Sequence, residues 1–196
     1  MNKTAILDMG LNNIKSIFNL SNKFSETYIF SELKEFKTNT DTIILPGNGN
    51  FGKGMEILNN KNLIEFIQNI SQEIKIVGIC LGLQLLMNES DESPDVKGLS
   101  LIEGKNIKID INDDYNNPLL GWYNVKFIDT KKYENLNGCY FFNNNFVIDP
   151  VKKSIISGYL DNLPVFINEK NIYGIQFHPE LSRNLGNYFF KKILEN

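Results

Sequence analysis

The sequence predicts an α/β fold: a central, mostly parallel sheet flanked by helices, with a β-rich C-terminal half. Three observations carry this. Short apolar and β-branched runs alternate with segments of helical spacing through the N-terminal half. After its opening lysine, the run from Lys75 to Ile79 is apolar without alternation, as in a strand covered on both faces. From Gly98 onward the texture changes to short β-like runs separated by turn residues.

Thr4 to Asp8 reads as the first strand, and Gly10-Leu11-Asn12-Asn13 as a loop into a helix through Ile14, Ile17, Phe18 and Asn22. Thr27 to Phe30 and Thr42 to Leu45 are strands, the second cut off by Pro46-Gly47-Asn48-Gly49. Leu63, Phe66, Ile67 and Ile70 repeat as on a helix packed on a sheet. The strand from Lys75 follows, then a helix from Leu83 to Met87. In the second half, strands are expected at Asn106 to Ile111, Asn124 to Ile128, Cys139 to Phe142, Ser154 to Tyr159, Val165 to Asn168 and Tyr173 to Phe177. A helix from about Asn184 to Leu194 closes the chain.

With 196 residues and no visible linker or repeat, residues 1–196 are expected to form a single domain. A net charge of −3, with lysines scattered among asparagines and acidic residues, argues against a nucleic-acid partner. No apolar run approaches the roughly 20 residues that span a bilayer, and the start of the chain reads as a strand instead of a signal peptide. A cytoplasmic protein with no membrane association is expected. Two cysteines, no Cys-x-x-Cys and one histidine leave no zinc-ligand spacing, so no metal, no cofactor and no disulfide are expected.

Cys80 ends the apolar strand between Gly78 and Gly82. A free thiol titrates near about 8.5 and is mostly protonated at neutral pH, so its surroundings decide its reactivity. In a strand-to-helix turn the glycines permit a tight elbow that aims the sulfur into a cleft at the start of the following helix. The plain alternative is a buried structural cysteine. His178, the sole histidine, is followed by Pro179 and then Glu180, whose carboxylate is placed to orient the ring. Nucleophile, base and orienting carboxylate together are the parts of a cysteine hydrolase. The loop Pro46-Gly47-Asn48-Gly49 offers a backbone N–H for a developing oxyanion, or is simply the turn that ends a strand.

Taken together, Pro46-Gly47-x-Gly49, Gly78-x-Cys80-x-Gly82-x-Gln84-Leu85-Leu86 and Gln176-Phe177-His178-Pro179-Glu180 resemble the class I (triad) glutamine amidotransferases over nearly the whole chain. Gly98-Leu99-x-Leu101-Ile102-x-Gly104, Gly121-Trp122 and Ser182 resemble the glutaminase subunits of imidazole glycerol phosphate synthase in particular. The resemblance implies that Cys80 attacks the side-chain amide of L-glutamine, His178 moves the proton and Glu180 holds the imidazole. It implies an oxyanion hole from the backbone amides near Asn48 and Leu81, contact of Gln84 with glutamine, and pairing of Glu92 with its α-ammonium group. Glu89 and Asp91 are rivals for that last role. It further implies a heterodimer with a (β/α)8 barrel synthase that receives the ammonia, with Trp122 at the interface and low turnover until the partner docks.

The chain departs from the family pattern on the partner side. Leu119-Leu120-Gly121-Trp122-Tyr123 stands for a histidine-methionine-glycine-tryptophan-asparagine segment, and Tyr140-Phe141-Phe142-Asn143-Asn144 for tyrosine-phenylalanine-valine-histidine-serine. Leu181 stands where the family usually has a lysine, which removes a charge-assisted contact. Asn12 and Asn48 replace a glycine and a small apolar residue, and asparagine tolerates the positive φ such loops use. Two pathways stay open: histidine biosynthesis, placed first as the commoner function of such chains, and a paralogue supplying ammonia for amidination in surface-sugar biosynthesis. A catalytically silent scaffold subunit is the non-enzyme alternative, and a cysteine peptidase ranks last.

Overall fold

The computed structural model describes residues 2–11, 14–109, 117–129, 131–133 and 135–195. In chain order the elements are β1 (Lys3–Leu7), α1 (Ile14–Ser21), β2 (Glu26–Phe30), β3 (Thr42–Leu45), α2 (Phe51–Asn60), α3 (Ile64–Ile70), β4 (Lys75–Ile79), α4 (Leu81–Leu86) and β5 (Glu89–Ser90). They continue with β6 (Gly104–Lys108), β7 (Leu119–Phe127), β8 (Gly138–Asn144), β9 (Phe146–Pro150), β10 (Ile156–Leu160), β11 (Leu163–Glu169), β12 (Ile172–Ile175) and α5 (Arg183–Glu195). Asn12 and the end of the strand expected over Asn106 to Ile111 lie outside the described residues.

A nine-stranded sheet runs β2-β1-β3-β4-β12-β11-β10-β7-β8. Its first five strands pair in parallel, and from β12 onward each neighbour is antiparallel. A second sheet of β5, β6 and β9 lies apart from it. The β-rich half is therefore a continuation of the same sheet, because β12 returns to pair Ile175 with Ile79 at the end of β4. That pairing places the two motif-bearing loops side by side at the C-terminal edge of the parallel strands, where open α/β sheets form clefts.

Alternation along the parallel strands feeds a core on each face. Ile6, Ile44, Val77 and Ile79 pack on one side with Ile17 and Leu20 of α1 and Phe189, Phe190 and Ile193 of α5. Ala5, Leu7, Ile43, Leu45 and Ile76 pack on the other with α2, α3 and α4. Both side-chain sets are buried, which is why β4 shows no polar alternation.

Besides the two-residue β5, the elements α2 and β9 were not legible in the sequence. α2 carries Gly52 and Gly54, weak helix formers, and is held by its start: Asn50 Oδ1 accepts the Lys53 N–H and the Glu92 carboxylate accepts the Phe51 N–H. β9 follows β8 with only Asn145 between them; the expected strand stopped at Phe142, and after Asn145 the chain leaves one sheet for the other. No helix among the described residues is long and apolar enough to cross a membrane.

Candidate active site

Cys80 alone makes the turn between β4 and α4, at φ 53° and ψ −108°. A non-glycine residue there costs about 1–3 kcal/mol, which the surroundings must overcome. The Cys80 N–H donates to Ile175 O at 2.7 Å, and the Gln84 N–H donates to Cys80 O at 3.1 Å. The flanking glycines allow the close approach: a Cβ on Gly82 would lie 1.6 Å from the Leu45 carbonyl oxygen, and one on Gly78 would lie 2.7 Å from the Gly82 backbone. The sulfur sits at the start of α4 as expected, but a helix of six residues has little dipole to offer it.

His178 lies three residues past the end of β12, and its backbone is bracketed. Its N–H donates to Phe141 O at 2.8 Å, while the Ser182 hydroxyl donates to His178 O at 2.6 Å and accepts the Phe141 N–H at 3.0 Å. The ring Nδ1 is 2.8 Å from Glu180 Oε1, which leaves Nε2 as the nitrogen available to exchange a proton. Nε2 is buried and has no hydrogen-bond partner among the described residues. Burial alone would lower the imidazole pKa, but the neighbouring Cys80 sulfur and Glu180 carboxylate outweigh it and push the value up to about 10. The structure thus brings Cys80, His178 and Glu180 to one place.

A cavity of about 150 Å³ opens beside the sulfur, lined by Cys80, Gln84, Glu92, Asn48 and Asn143 to Phe146. Gln84 is buried and donates from Nε2 to Phe146 O at 3.3 Å. Of the three candidate carboxylates only Glu92 lines this space, with Oε2 2.6 Å from the Phe51 N–H at the start of α2. Glu89 is paired with Lys97 and Asp91 with Lys105 on exposed surface. The two backbone amides expected to serve an oxyanion are engaged by carbonyls: Asn48 N–H by Leu11 O at 3.3 Å, Leu81 N–H by Gly47 O at 3.4 Å. Both contacts are long and would have to be exchanged for an oxyanion.

Trp122 lies outside the cavity, 42% exposed on β7, with the Arg183 guanidinium 4.8 Å from its ring and the Phe141 ring at 5.9 Å. Leu120 and Leu181 are also exposed. Sequence reasoning gave no role to Ser182 or Asn143. Ser182 was visible only as part of a motif, and its use as a clamp depends on the distant Phe141. The Asn143 carbonyl, 3.8 Å from the Cys80 thiol, is a main-chain group with no sequence signal.

Residues 5–196 match the family described as glutamine amidotransferase class-I. The chain is 33% identical to imidazole glycerol phosphate synthase subunit HisH 1 of Methanococcus maripaludis, over 98% of this chain and 97% of that one. It is 34% identical to subunit HisH of Thermotoga maritima, over 98% and 96%. With subunit HisH of Halalkalibacterium halodurans the identity is 36%, over 92% and 90%. Among solved structures, a glutamine amidotransferase superimposes with a TM-score of 0.77 at 16% identity, covering 96% of each chain. PurLQS from Thermotoga maritima does so with 0.75 at 15%, over 99% and 98%. Those two likenesses speak to the fold alone. Matched from its first strand to its end, and aligned nearly end to end with these relatives, the chain belongs to the class I glutamine amidotransferase family.

Proposed function

We propose that this chain is the glutaminase subunit of an imidazole glycerol phosphate synthase, a single domain over residues 1–196 that acts in the cytoplasm. It hydrolyses L-glutamine to L-glutamate and passes the ammonia to a (β/α)8 barrel synthase with which it forms a heterodimer in histidine biosynthesis. The observation that carries this is the meeting of Cys80 with the His178–Glu180 pair beside a small polar cavity that also holds Gln84 and Glu92. Identity of 33–36% to HisH subunits over nearly the full chain supports the pathway.

In this reading the Cys80 thiolate attacks the side-chain carbonyl carbon of glutamine, forming a C–S bond. His178 then gives its proton to the amide nitrogen, the C–N bond breaks and ammonia leaves. Water transfers a proton to Nε2 and adds to the thioester; the C–S bond breaks and glutamate departs. Glu180 holds Nδ1–H throughout, so the ring keeps the tautomer that works. Glu92 faces the α-ammonium group and Gln84 the bound glutamine. The Asn48 and Leu81 amides serve the oxyanion once they release Leu11 O and Gly47 O, and that exchange is a natural point for a docked partner to set the rate.

A second pathway, amidination in surface-sugar biosynthesis through a related barrel, is favoured by one observation. Leu181 puts an exposed apolar side chain beside His178 where the family usually has a lysine, on a face that also exposes Leu120 and Trp122. One experiment addresses both. With the histidine-pathway barrel added, glutamate release should accelerate, the fluorescence of Trp122, the sole tryptophan, should change, and Cys80→Ala should abolish turnover. Ammonia release by Cys80→Ala at the parent rate would remove Cys80 from the mechanism, and no glutamate release by the parent with a barrel that binds it would leave the scaffold reading. Unchanged fluorescence and sedimentation with that barrel would leave the sugar pathway.

A further inference from the structure

We infer that Gln176 acts directly on the nucleophile: its side-chain amide N–H donates to the Cys80 sulfur and favours the thiolate over the thiol. The inference rests on Cys80 being the nucleophile of the proposed reaction. Gln176 has no solvent exposure, and its Nε2 lies 3.9 Å from Cys80 Sγ. Its carboxamide oxygen is also buried and has no partner among the described residues. A buried carboxamide with half its capacity unmatched is worse for stability than an apolar side chain of the same shape, and the adjacent Ile175 and Phe177 show what this core otherwise selects. Among the described residues, the one use the carboxamide makes of its polarity is the contact with sulfur.

The direction of that contact matters. The thiol proton points to the Asn143 carbonyl at 3.8 Å, an acceptor that holds the neutral S–H and repels a thiolate. The Gln176 N–H is a donor only, and donors bind a charged acceptor about twice as strongly as a neutral one. Gln176 lies two positions before His178, just past the end of β12, and both side chains come to the sulfur there. The sulfur thus lies between one group that favours the thiol and two that favour the thiolate. Losing Gln176 tips it toward the thiol even with His178 and Glu180 in place.

The test reads the sulfur itself and needs no glutamine, so it stands whether or not the chain is a glutaminase. In a Cys139→Ser background, which removes the exposed second thiol, the rate of alkylation by iodoacetamide is followed against pH. Gln176→Met keeps the shape without the donor, and its midpoint should rise by about one pH unit, a tenfold loss of thiolate below both midpoints. Gln176→Glu sets a carboxylate against the sulfur and should raise it further. An unchanged midpoint in either folded variant overturns the inference. In the parent protein, one side-chain amide proton of Gln176 should shift as Cys80 ionises and stay fixed in Cys80→Ala. The absence of that response also overturns it, with no demand on the folding of a Gln176 variant.

Discussion

Replacing Gly82 with alanine tests whether the elbow geometry, as distinct from the presence of a cysteine, sets the activity. The added Cβ would stand 1.6 Å from the Leu45 carbonyl oxygen and 2.6 Å from its carbon, whereas real Cβ contacts essentially never fall below 3.0 Å. The obstacle is strand backbone, so α4 must withdraw from β3 by about 1.4 Å to restore that separation. Overpacking of this kind costs typically about 1–3 kcal/mol, and a backbone clash belongs at the upper end. For a chain of this size about 3 kcal/mol lowers the melting temperature by roughly 6–12 °C. The Cys80 sulfur moves with the helix start, and a misplacement of about 1 Å costs on the order of 100-fold in rate. Gly54→Ala is the control: in α2 its Cβ would meet side-chain methyl groups and no backbone, Leu85 at 3.1 and 3.2 Å and Leu81 at 3.5 Å, so a shift within about 1 kcal/mol of the parent is expected. Urea unfolding followed by circular dichroism reads the first effect, and glutamate release with the partner present reads the second. A Gly82→Ala protein with the parent midpoint and more than half the parent activity would show that the close approach of α4 to β3 is not required.

Two further outcomes follow from the histidine. Because the chain has a single imidazole, its ring protons can be titrated by NMR without assignment; they should report a pKa near 10 in the parent and a lower one in Cys80→Ala, where the sulfur's charge is gone. A raised folded value means that this pair's contribution to stability is complete below pH 6.5 and is lost as pH rises through about 10, so a parent ring titrating at or below 6.5 would refute it. Ser182→Ala removes the bracket between His178 O and Phe141 N–H and leaves buried groups unpaired, for about 1–3 kcal/mol of stability. Its kcat for glutamine should fall while KM stays near the parent, since Ser182 touches no cavity residue but His178 is set by it; a rise in KM alone would assign Ser182 to substrate binding instead.

The sequence by itself determined the local terms of this protein. Lys75 to Ile79 declares a strand buried on both faces because, after the lysine at its start, no position in it is polar enough to meet water. Gly78 and Gly82 announce a turn that side chains would obstruct, and the Cys80 and His178-Pro179-Glu180 motifs name the reacting groups. Tertiary structure decided what depends on chain segments far apart in number. The pairing of β12 with β4 brings His178 to Cys80, and the contact with the start of α2 selects Glu92 over Glu89 and Asp91. Whether the Asn48 and Leu81 amides are free depends on the carbonyls of Leu11 and Gly47, and what reaches the sulfur depends on Gln176 and the Asn143 backbone. Periodicity and turn chemistry are written residue by residue, whereas a hydrogen bond across the sheet depends on a register that no single segment encodes.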